Sequence, residues 1–310
     1  KQALMRYIVN IILGLITTTF FLWLALRGIN FDLVDETIRS TNWIYLLLPM
    51  IFWSGGILAR AMRWRGLLQN KLEKDQAVGI ISIVYMVNAT IPLRAGELIR
   101  LYLTSRSNHG ISGWTVLTTV LTETLLDMIS IVLLLACVIP LLAISTTTIM
   151  LGAVIGGVTL IGFIILLMLA HRPEIAHRFL DKLHQLIPPL QRLPLKSLLE
   201  KLLQGIEPLK HRHCLRSTIL WTVIIWICSI LAVWSGAQAF PELAFSIDML
   251  PILVFMLVTI SLGAIIPFTM AGVGPFEAGV VFALTLADVS QSTALTFGII
   301  LHILLILHLV

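Results

Sequence analysis

Long apolar runs separated by short polar segments make up most of the chain. Six of these runs approach or exceed the roughly 20 residues that a helix needs to cross the ~30 Å hydrocarbon core of a bilayer. They are residues 7–26, 43–58, 114–143, 148–170, 217–239 and 293–310. The pattern predicts an all-α polytopic membrane protein with about six full spans, built as a single transmembrane domain over residues 1–310.

Two further apolar stretches are interrupted by prolines, glycines and charges. Residues 77–105 contain "ATIPLRAGELIRLYL", and residues 249–287 contain "AIIPFTMAGVGPFEAGVVFALTLA". Because proline and glycine end or kink helices, each stretch is predicted as two shorter helices joined by a break. Both stretches carry Ile-Pro, then Ala-Gly, then Glu, when a gap of four residues is allowed in the second. An inverted repeat is therefore one hypothesis for this fold.

Charges in the connecting segments predict the orientation of the chain. Residues 171–216 carry nine Lys or Arg against four acids, whereas residues 240–248 carry two acids and no Lys or Arg. The segment after residue 58 is also basic, through Arg60, Arg63, Arg65, Lys71 and Lys74. Because basic loops stay in the cytoplasm, the N-terminus is predicted to be cytoplasmic and residues 27–42 to form an external loop.

The same assignment of segments to the two sides of the membrane predicts the path of the first interrupted stretch. Basic residues precede it on the cytoplasmic side, and the run at 114–143 must also start there. Residues 77–105 are therefore expected to enter and leave on one side, as a re-entrant hairpin broken near Pro92. The second stretch is expected to form a similar hairpin that opens on the outer face.

The basic segment 171–216 is predicted to be a cytoplasmic amphipathic connector within the domain. Leucines and an isoleucine recur at helical spacing between residues 195 and 206, with Lys196, Glu200 and Lys201 on the opposite face. Such a helix lies in the membrane interface or packs beneath the bundle.

Composition agrees with a membrane protein and excludes several functions. The chain is 58% hydrophobic and only 12% charged, against about 25% charged residues in soluble domains. The net charge of +5 resides in short loops between spans, which argues against nucleic-acid binding. The three cysteines lack metal-ligand spacing and no Walker loop occurs, so neither a metal nor a cofactor is predicted.

Arg94, Glu97 and Arg100 are the first candidate site residues. Their spacing of three places them near one another on a helix, where Glu97 can pair with either arginine. Charges within membrane segments usually face a cavity, and an arginine there can bind a phosphate through two parallel hydrogen bonds. The alternative is that this segment emerges at the cytoplasmic surface and the charges are solvated.

Glu123 and Asp127 form the second candidate pair. They lie four residues apart on one face of an apolar helix in "LTETLLDMIS". They could be partners for Arg94 or Arg100, or members of a proton relay. The alternative is that Glu123 simply fixes this helix to a neighbour.

Gly272, Gly274 and Glu277 in "AGVGPFEAG" complete the set. A proline after Gly274 is typical of a helix start, and a helix N-terminus inside a membrane can receive an anion. Glu277 would already satisfy much of that dipole. The alternative reading of the two glycines is a hinge or a close-packing device.

Two motifs resemble a known family. "IPLRAGELIRLYLTSR" with "TVLTETLLDMIS", and then "IPFTMAGVGPFEAGVVFAL", resemble the transmembrane region of bacterial lysylphosphatidylglycerol synthases and the stand-alone flippase-like proteins related to it. The resemblance covers about residues 5 to 310. One position departs from it, because Glu123 is followed by Thr124 where the family often has arginine. The soluble aminoacyl-transferase domain of the full-length synthases is not found among these 310 residues.

The resemblance implies lipid movement across a bacterial or archaeal cytoplasmic membrane. The expected substrate is a phospholipid or a polyprenyl-phosphate-linked lipid, bound between the two broken hairpins without ATP. Arg94, Glu97, Arg100, Glu123, Asp127, Gly272, Gly274 and Glu277 would line its path. The alternatives are an intramembrane lipid-linked transferase and a non-transporting accessory subunit. The protein is not expected to be an enzyme, and self-association is left open.

Overall fold

The fold was analysed in a computed structural model that describes residues 2–91, 94–107, 110–142, 211–243, 249–264, 269 and 271–310, with side chains from residue 14 onward. Within these ranges the chain forms ten α-helices and no strand. They are α1 (Gln2–Leu26), α2 (Phe31–Ser40), α3 (Leu47–Leu67), α4 (Lys74–Thr90), α5 (Ala95–Arg106), α6 (Gly113–Val138), α7 (Arg212–Ala237), α8 (Leu250–Gly263), α9 (Pro275–Thr285) and α10 (Gln291–Leu309).

Four helical segments of the described chain are long and apolar enough to span a membrane. They are Trp43–Leu67, Gly113–Leu141, Arg212–Ala237 and Gln291–Leu309. A fifth span is present if α1 and α2 count as one bent element. The all-helical membrane architecture is thus confirmed, while the expected run at residues 148–170 lies outside the described residues.

The expected external loop at residues 27–42 is instead largely helical. The chain bends by 86° after α1 and continues as α2. Asn30 begins α2, since its side-chain oxygen accepts a hydrogen bond from the backbone N–H of Asp32 at 3.0 Å. The backbone N–H of Asn30 also donates to Ser292 Oγ at 2.9 Å, which attaches this bend to the start of α10.

The basic segment expected after residue 58 belongs to α3. This helix continues to Leu67, so Arg60, Arg63 and Arg65 lie within it and not in a loop. The reason is that Trp64 and Leu67 are fully buried, and their burial extends the packed face of the helix beyond the apolar run. Arg63 lies on the buried face as well and is only 2% exposed.

The first interrupted stretch forms two helices, α4 and α5, that pack against each other. The backbone N–H of Gly96 donates to Asn88 Oδ1 at 2.9 Å across the break. A Cβ at Gly96 would collide with the backbone oxygen of Val84, so this close approach requires glycine. The predicted break is confirmed, and Arg94 ends it in a left-handed conformation with φ of 51°.

The second interrupted stretch forms an antiparallel pair of helices, α8 and α9. Gly263 lies against Pro275, and Gly279 lies against Thr259, so contacts run in opposite directions along the two helices. Thr259 Oγ1 donates to the carbonyl oxygen of Gly279 at 2.9 Å. Glycines at both positions let the helix backbones approach closely, as in other membrane helix pairs.

The two broken elements share a structural pattern at the start of their second helix. Each has a positive-φ residue at the helix start, Arg94 (51°) or Gly274 (95°), and a glutamate at the third helical position. Glu97 therefore corresponds to Glu277 without a gap. Ala271 and Gly272 lie in the second break and do not correspond in position to the helical pair Ala95 and Gly96.

Apolar packing holds the second hairpin in place. One buried cluster joins α7, α8, α9 and α10, with Phe240 and Phe297 in an edge-to-face contact at 5.1 Å. A second cluster joins α3, α4 and α6 around Trp64. Residues 212–216 of the expected connector form the first turns of α7. Residues 171–210 lie outside the described part of the chain.

Candidate functional site

A cavity of about 480 Å³ lies between the two broken elements. Its wall contains side chains from both of them and from the long helices α3, α6, α7 and α10. Six of the eight predicted site residues line it: Arg94, Glu97, Arg100, Glu123, Asp127 and Gly272. The remaining two, Gly274 and Glu277, are not among the described residues of the wall.

Among the described residues, four arginines and three carboxylates face this cavity. The arginines are Arg60, Arg63, Arg94 and Arg100, and the carboxylates are Glu97, Glu123 and Asp127. At neutral pH four positive and three negative formal charges leave one positive charge in excess. Charges in membrane helices are rare and expensive, so this concentration marks the cavity as the candidate functional site.

Arg100 is held by two carboxylates and an aromatic ring. Its Nη2 donates to Glu123 Oε2 at 2.6 Å, and its Nη1 lies 3.5 Å from Glu97 Oε2 on the preceding turn of α5. The guanidinium also stacks over the Trp64 ring at 4.2 Å. Because Arg100 is 3% exposed, these contacts replace the hydration that the charge loses on burial.

Arg63 forms a second buried ion pair beside the first. Its Nη1 and Nη2 donate to the two oxygens of Asp127 at 2.6 and 3.2 Å, which is a bidentate arrangement. Its Nε lies 3.6 Å from Glu123 Oε1, so Glu123 is shared between two arginines. The arginine that the family often has after Glu123 is absent here, and Arg63 from α3 supplies a second positive charge instead.

Several polar atoms of this network are buried without a hydrogen-bond partner in the described protein. They include Nε of Arg63, Nε of Arg100 and Oε2 of Glu97. Buried donors are normally paired, since an unpaired one costs about 1–3 kcal/mol. The two unpaired N–H groups belong to positively charged side chains of the cavity wall, and both are buried in this conformation, so an anion would reach them only after these side chains move.

Arg94 connects the two broken elements directly. Its Nη2 donates to the carbonyl oxygen of Ala264, at the end of α8, at 2.6 Å. Within the described ranges no carboxylate lies within 4 Å of this guanidinium, in contrast to the other three arginines of the wall. Arg94 is also exposed to the cavity, so it is the cation that a ligand can reach most readily.

Glu277 and Gly274 have a structural role behind the wall. The backbone N–H of Gly274 donates to Glu277 Oε2 at 2.7 Å, which caps α9. The other carboxylate oxygen lies 2.6 Å from Nδ1 of His302, and Nε2 of His302 lies 3.1 Å from the carbonyl oxygen of Ala271. His302 reaches the cavity wall and stacks on Phe276 with ring centroids 4.1 Å apart.

Sequence reasoning missed Arg63 and His302. Arg63 ends an apolar run in sequence, where a basic residue normally marks a loop, and only the apolar Trp64 and Leu67 beyond it signal a longer helix. His302 stands alone in an apolar helix, and its partner Glu277 lies 25 residues earlier. No local spacing connects them, so the signal was too weak to use.

The residues of this site fit an anion better than a metal ion. Each cavity carboxylate is engaged by an arginine, and no group of three His, Cys, Asp or Glu side chains in the described ranges is arranged to hold a metal. An anionic head group with a phosphate is the chemistry that spare arginine donors recognise.

Comparison with known families gives one match. Residues 11–310 match the family described as "Lysylphosphatidylglycerol synthase TM region". The match includes both broken elements and every residue of the cavity wall. No curated protein was found to match the chain.

Proposed function

The chain belongs to the family of lysylphosphatidylglycerol synthase transmembrane regions, and from this premise we propose that it moves a phosphate-bearing lipid between bilayer leaflets. The family membership and the apolar helices identify an integral membrane protein with a lipid-related function. Transport, its direction and the lipid concerned belong to the proposal. The observation that carries it is the charged cavity between the two broken elements.

The position of the charges supports a site at membrane depth. Glu123 and Asp127 lie near the middle of α6, and Arg63 lies inside the segment Trp43–Leu67, which is long enough to span. Broken helices around a polar cavity are the arrangement in which membrane transporters commonly bind their substrates. A lipid whose head group passes through such a cavity would not have to move a charged group into the hydrocarbon core. The cost of that desolvation is what blocks unassisted flipping.

The charge balance of the wall favours a substrate class. Four arginines against three carboxylates leave one positive charge, which a phosphodiester with one negative charge would neutralise. A pyrophosphate-linked lipid would leave the cavity with excess negative charge. We therefore favour a monoanionic phospholipid or polyprenyl phosphodiester as the substrate.

The roles of the wall residues follow from their contacts. Arg94 would bind the phosphate first, because it lacks a carboxylate partner within 4 Å and reaches across to α8. Arg100 and Arg63 would add their unpaired Nε–H groups once the substrate draws these buried side chains toward the cavity, while Glu97 and Glu123 hold Arg100 in the resting site. Re-entry of both hairpins into the membrane would place this site between the leaflets, with the N-terminus in the cytoplasm.

The two alternatives fit the cavity less well. A non-transporting accessory subunit predicts that the hairpins close on each other, whereas a cavity of about 480 Å³ separates them. An intramembrane transferase would need a carboxylate free for acid–base chemistry. Glu123 and Asp127 both accept short hydrogen bonds from arginines, which favours an electrostatic role for these two. Glu97 has an unpaired oxygen but lies 3.5 Å from the Arg100 guanidinium, which favours its ionised form.

Reconstitution tests the proposal directly. The purified chain is placed in phosphatidylcholine vesicles with a trace of phosphatidylglycerol that carries a fluorescent acyl chain, and dithionite reports the fraction in the outer leaflet. We expect exchange between leaflets well above that of empty vesicles. Arg94→Ala should slow it about 10- to 100-fold, since hydrogen bonds to charged groups contribute roughly 1.5–3 kcal/mol.

Arg106→Ala is the matched control. Arg106 lies on the same helix, but it is surface-exposed and stacks over Tyr102, away from the cavity. It should leave the exchange rate within about twofold. If the unaltered chain moves no lipid faster than empty vesicles do, the proposed function is wrong. If Arg94→Ala behaves like Arg106→Ala, Arg94 has no part in it.

A further inference from the structure

We propose that Glu277 and His302 form a proton-binding site that couples lipid movement to the transmembrane proton gradient. This inference rests on the proposed function and adds its energy source. The pair lies behind the second break, is almost completely buried, and reaches the cavity through His302. Neither residue is needed to explain how the arginines bind a phosphate.

The hydrogen bonds of the pair define how many protons it holds. Nε2 of His302 faces the carbonyl oxygen of Ala271, which can only accept, so this nitrogen carries a hydrogen. Nδ1 faces Glu277 Oε1 at 2.6 Å, and a single proton must lie between these two atoms. The other oxygen of Glu277 accepts from the N–H of Gly274. All three contacts can be hydrogen bonds at the same time only when the pair holds its shared proton.

Loss of that proton breaks one of the contacts. If Nε2 keeps its hydrogen, the lone pair of Nδ1 faces the negative carboxylate of Glu277. If the hydrogen moves to Nδ1, the bare Nε2 faces the carbonyl oxygen of Ala271. In each arrangement two acceptor atoms face each other without a hydrogen between them. The deprotonated pair therefore cannot keep the geometry that the structure shows.

The affected contact controls the second break. Ala271 has a φ of 54°, which is uncommon for a residue with a Cβ, whereas Gly272 and Gly274 adopt φ of 86° and 95° without that cost. Such a turn persists only while its surroundings hold it. His302 holds its far end through Ala271, and the cap from Glu277 holds the start of α9. Proton release would disturb the attachment through His302, whereas the N–H of Gly274 can still donate to the ionised carboxylate of Glu277.

Substrate binding acts on the same segment from its other end. Arg94 holds the carbonyl oxygen of Ala264, where the second break begins. A phosphate that draws Arg94 away would free this carbonyl, just as deprotonation of His302 would free that of Ala271. Because the proton and the lipid bias the same break, each changes the conformation that the other meets. This is the physical requirement for coupling between two ligands.

In the described part of the chain, the helices packed around the pair carry few other side chains that can gain or lose a proton. From Gly14 onward α1 has no ionisable side chain, α8 has none, and α9 has only Glu277. The acids and the arginine of α2 lie at the N-terminal end of α10, where Thr37 approaches Thr293. The arginines and carboxylates of the cavity wall lie across the cavity from the pair. Tyr85 of α4 also lies there, with the Arg60 guanidinium over its ring. His308 on α10 contacts Ser54 at the other side of the helix bundle.

Glu277→Gln tests the proposal with minimal disturbance. The amide oxygen can accept from Gly274, and the amide NH₂ can donate to Nδ1 of His302, which leaves Nε2–H for Ala271. All three hydrogen bonds survive, but no proton can be released. We expect a variant that exchanges labelled phosphatidylglycerol between leaflets at nearly the normal rate and no longer responds to a pH gradient.

The experiment uses the vesicles described above with a pH difference of one unit across the membrane, and pyranine inside reports proton flux. With one proton per lipid, the unaltered chain should sustain up to about a tenfold ratio of the label between leaflets. Glu277→Gln should give a ratio near one and no lipid-dependent proton flux. His308→Gln, a histidine change on the same helix outside the pair, should keep the gradient response.

Each outcome decides a separate claim. Exchange without any gradient response in the unaltered chain overturns proton coupling and leaves the proposed function intact. Absence of lipid movement overturns both. A gradient response that Glu277→Gln retains also overturns the assignment of this pair. If Glu277→Gln is not monodisperse in detergent, His302→Gln serves as the second variant and should lose the same response.

Discussion

Arg100 shows how a charged residue is made tolerable inside this bundle. Glu123 and Glu97 approach its guanidinium from two sides, and Trp64 covers its face. Removal of Arg100 or Glu123 alone leaves the other buried charge with only its weaker partner, at 3.5 or 3.6 Å, which is more damaging than removal of both. The pair can therefore be measured by a double-mutant cycle.

We expect Arg100→Leu and Glu123→Leu each to lower the free energy of unfolding by about 3–5 kcal/mol. The double variant should be more stable than the sum of the two losses predicts, with a coupling of about 1–3 kcal/mol. Unfolding by denaturant in detergent micelles measures all four proteins. Strictly additive effects would show that the 2.6 Å contact contributes nothing to stability.

At the scale of single residues, the sequence predicted charges but not all of their partners. Arg94, Glu97 and Arg100 stood out because they interrupt an apolar stretch, and the structure brings them to one cavity. Arg63 and His302 did not, because their partners are distant in the chain and a lone polar residue gives no periodic signal. Ion pairs between helices depend on packing, which local spacing does not encode.

At the scale of elements, the two helix breaks were predictable for a simple physical reason. Proline, glycine and charge cannot continue a membrane helix, so both interruptions are visible in the residues themselves. The helix α2 was missed because its ten residues are polar on average and begin in a loop-like segment. The length of α3 was misjudged because the partners of its arginines lie far away in the chain. Arg63 contacts Glu123 and Asp127 of α6, and Arg60 lies over Tyr85 of α4.

Gly96 is the residue on which the packing of α4 against α5 depends. A Cβ there would meet the backbone oxygen of Val84 and lie 2.7 Å from Oδ1 of Asn88. We expect Gly96→Ala to lower the free energy of unfolding by about 1–3 kcal/mol, as overpacking does elsewhere. It should also slow lipid exchange, because Arg94 and Glu97 flank this contact.

Gly79→Ala is the control for this change. Gly79 lies in α4, and a Cβ there would have no neighbour within 4 Å. Alanine favours a helix interior over glycine by about 0.5–1 kcal/mol, so this variant should be slightly more stable. Thermal unfolding of both variants in detergent compares them. Equal stability of the two would mean that α4 and α5 can separate without penalty.

At the scale of the whole molecule, the proposed transport requires the two hairpins to move relative to each other. The hairpins lie on either side of the cavity, and they meet at its wall, where Arg94 of the first donates a hydrogen bond to Ala264 of the second. A covalent link at this point should prevent the motion. The three native cysteines, Cys137, Cys214 and Cys228, are replaced by serine or alanine before new ones are introduced.

We expect Arg94→Lys to keep part of the lipid exchange, because it keeps the positive charge. Arg94→Cys would remove a cation from the cavity wall and would slow exchange even without a covalent link. Cysteines are therefore better placed at Ala89 and Ala264, both at the cavity wall. Linking them with a cleavable bismaleimide should reduce exchange at least about tenfold, because closure of a hinge blocks the conformational step. Cleavage of the linker should restore it. Each single-cysteine variant, treated in the same way, should keep its rate.

The left-handed backbone of Arg94 has a consequence for engineering this protein. A left-handed conformation costs a non-glycine residue roughly 1–2 kcal/mol, and glycine avoids that penalty. Arg94→Gly should thus unfold at a higher temperature than Arg94→Ala, although both lack the guanidinium and should move lipid equally slowly. Among variants that lack the guanidinium, a screen for thermostability would therefore select glycine at this position without any gain in lipid exchange. In the arginine itself, the hydrogen bond to Ala264 offsets the backbone cost, so the two contributions can be separated by comparing all three proteins.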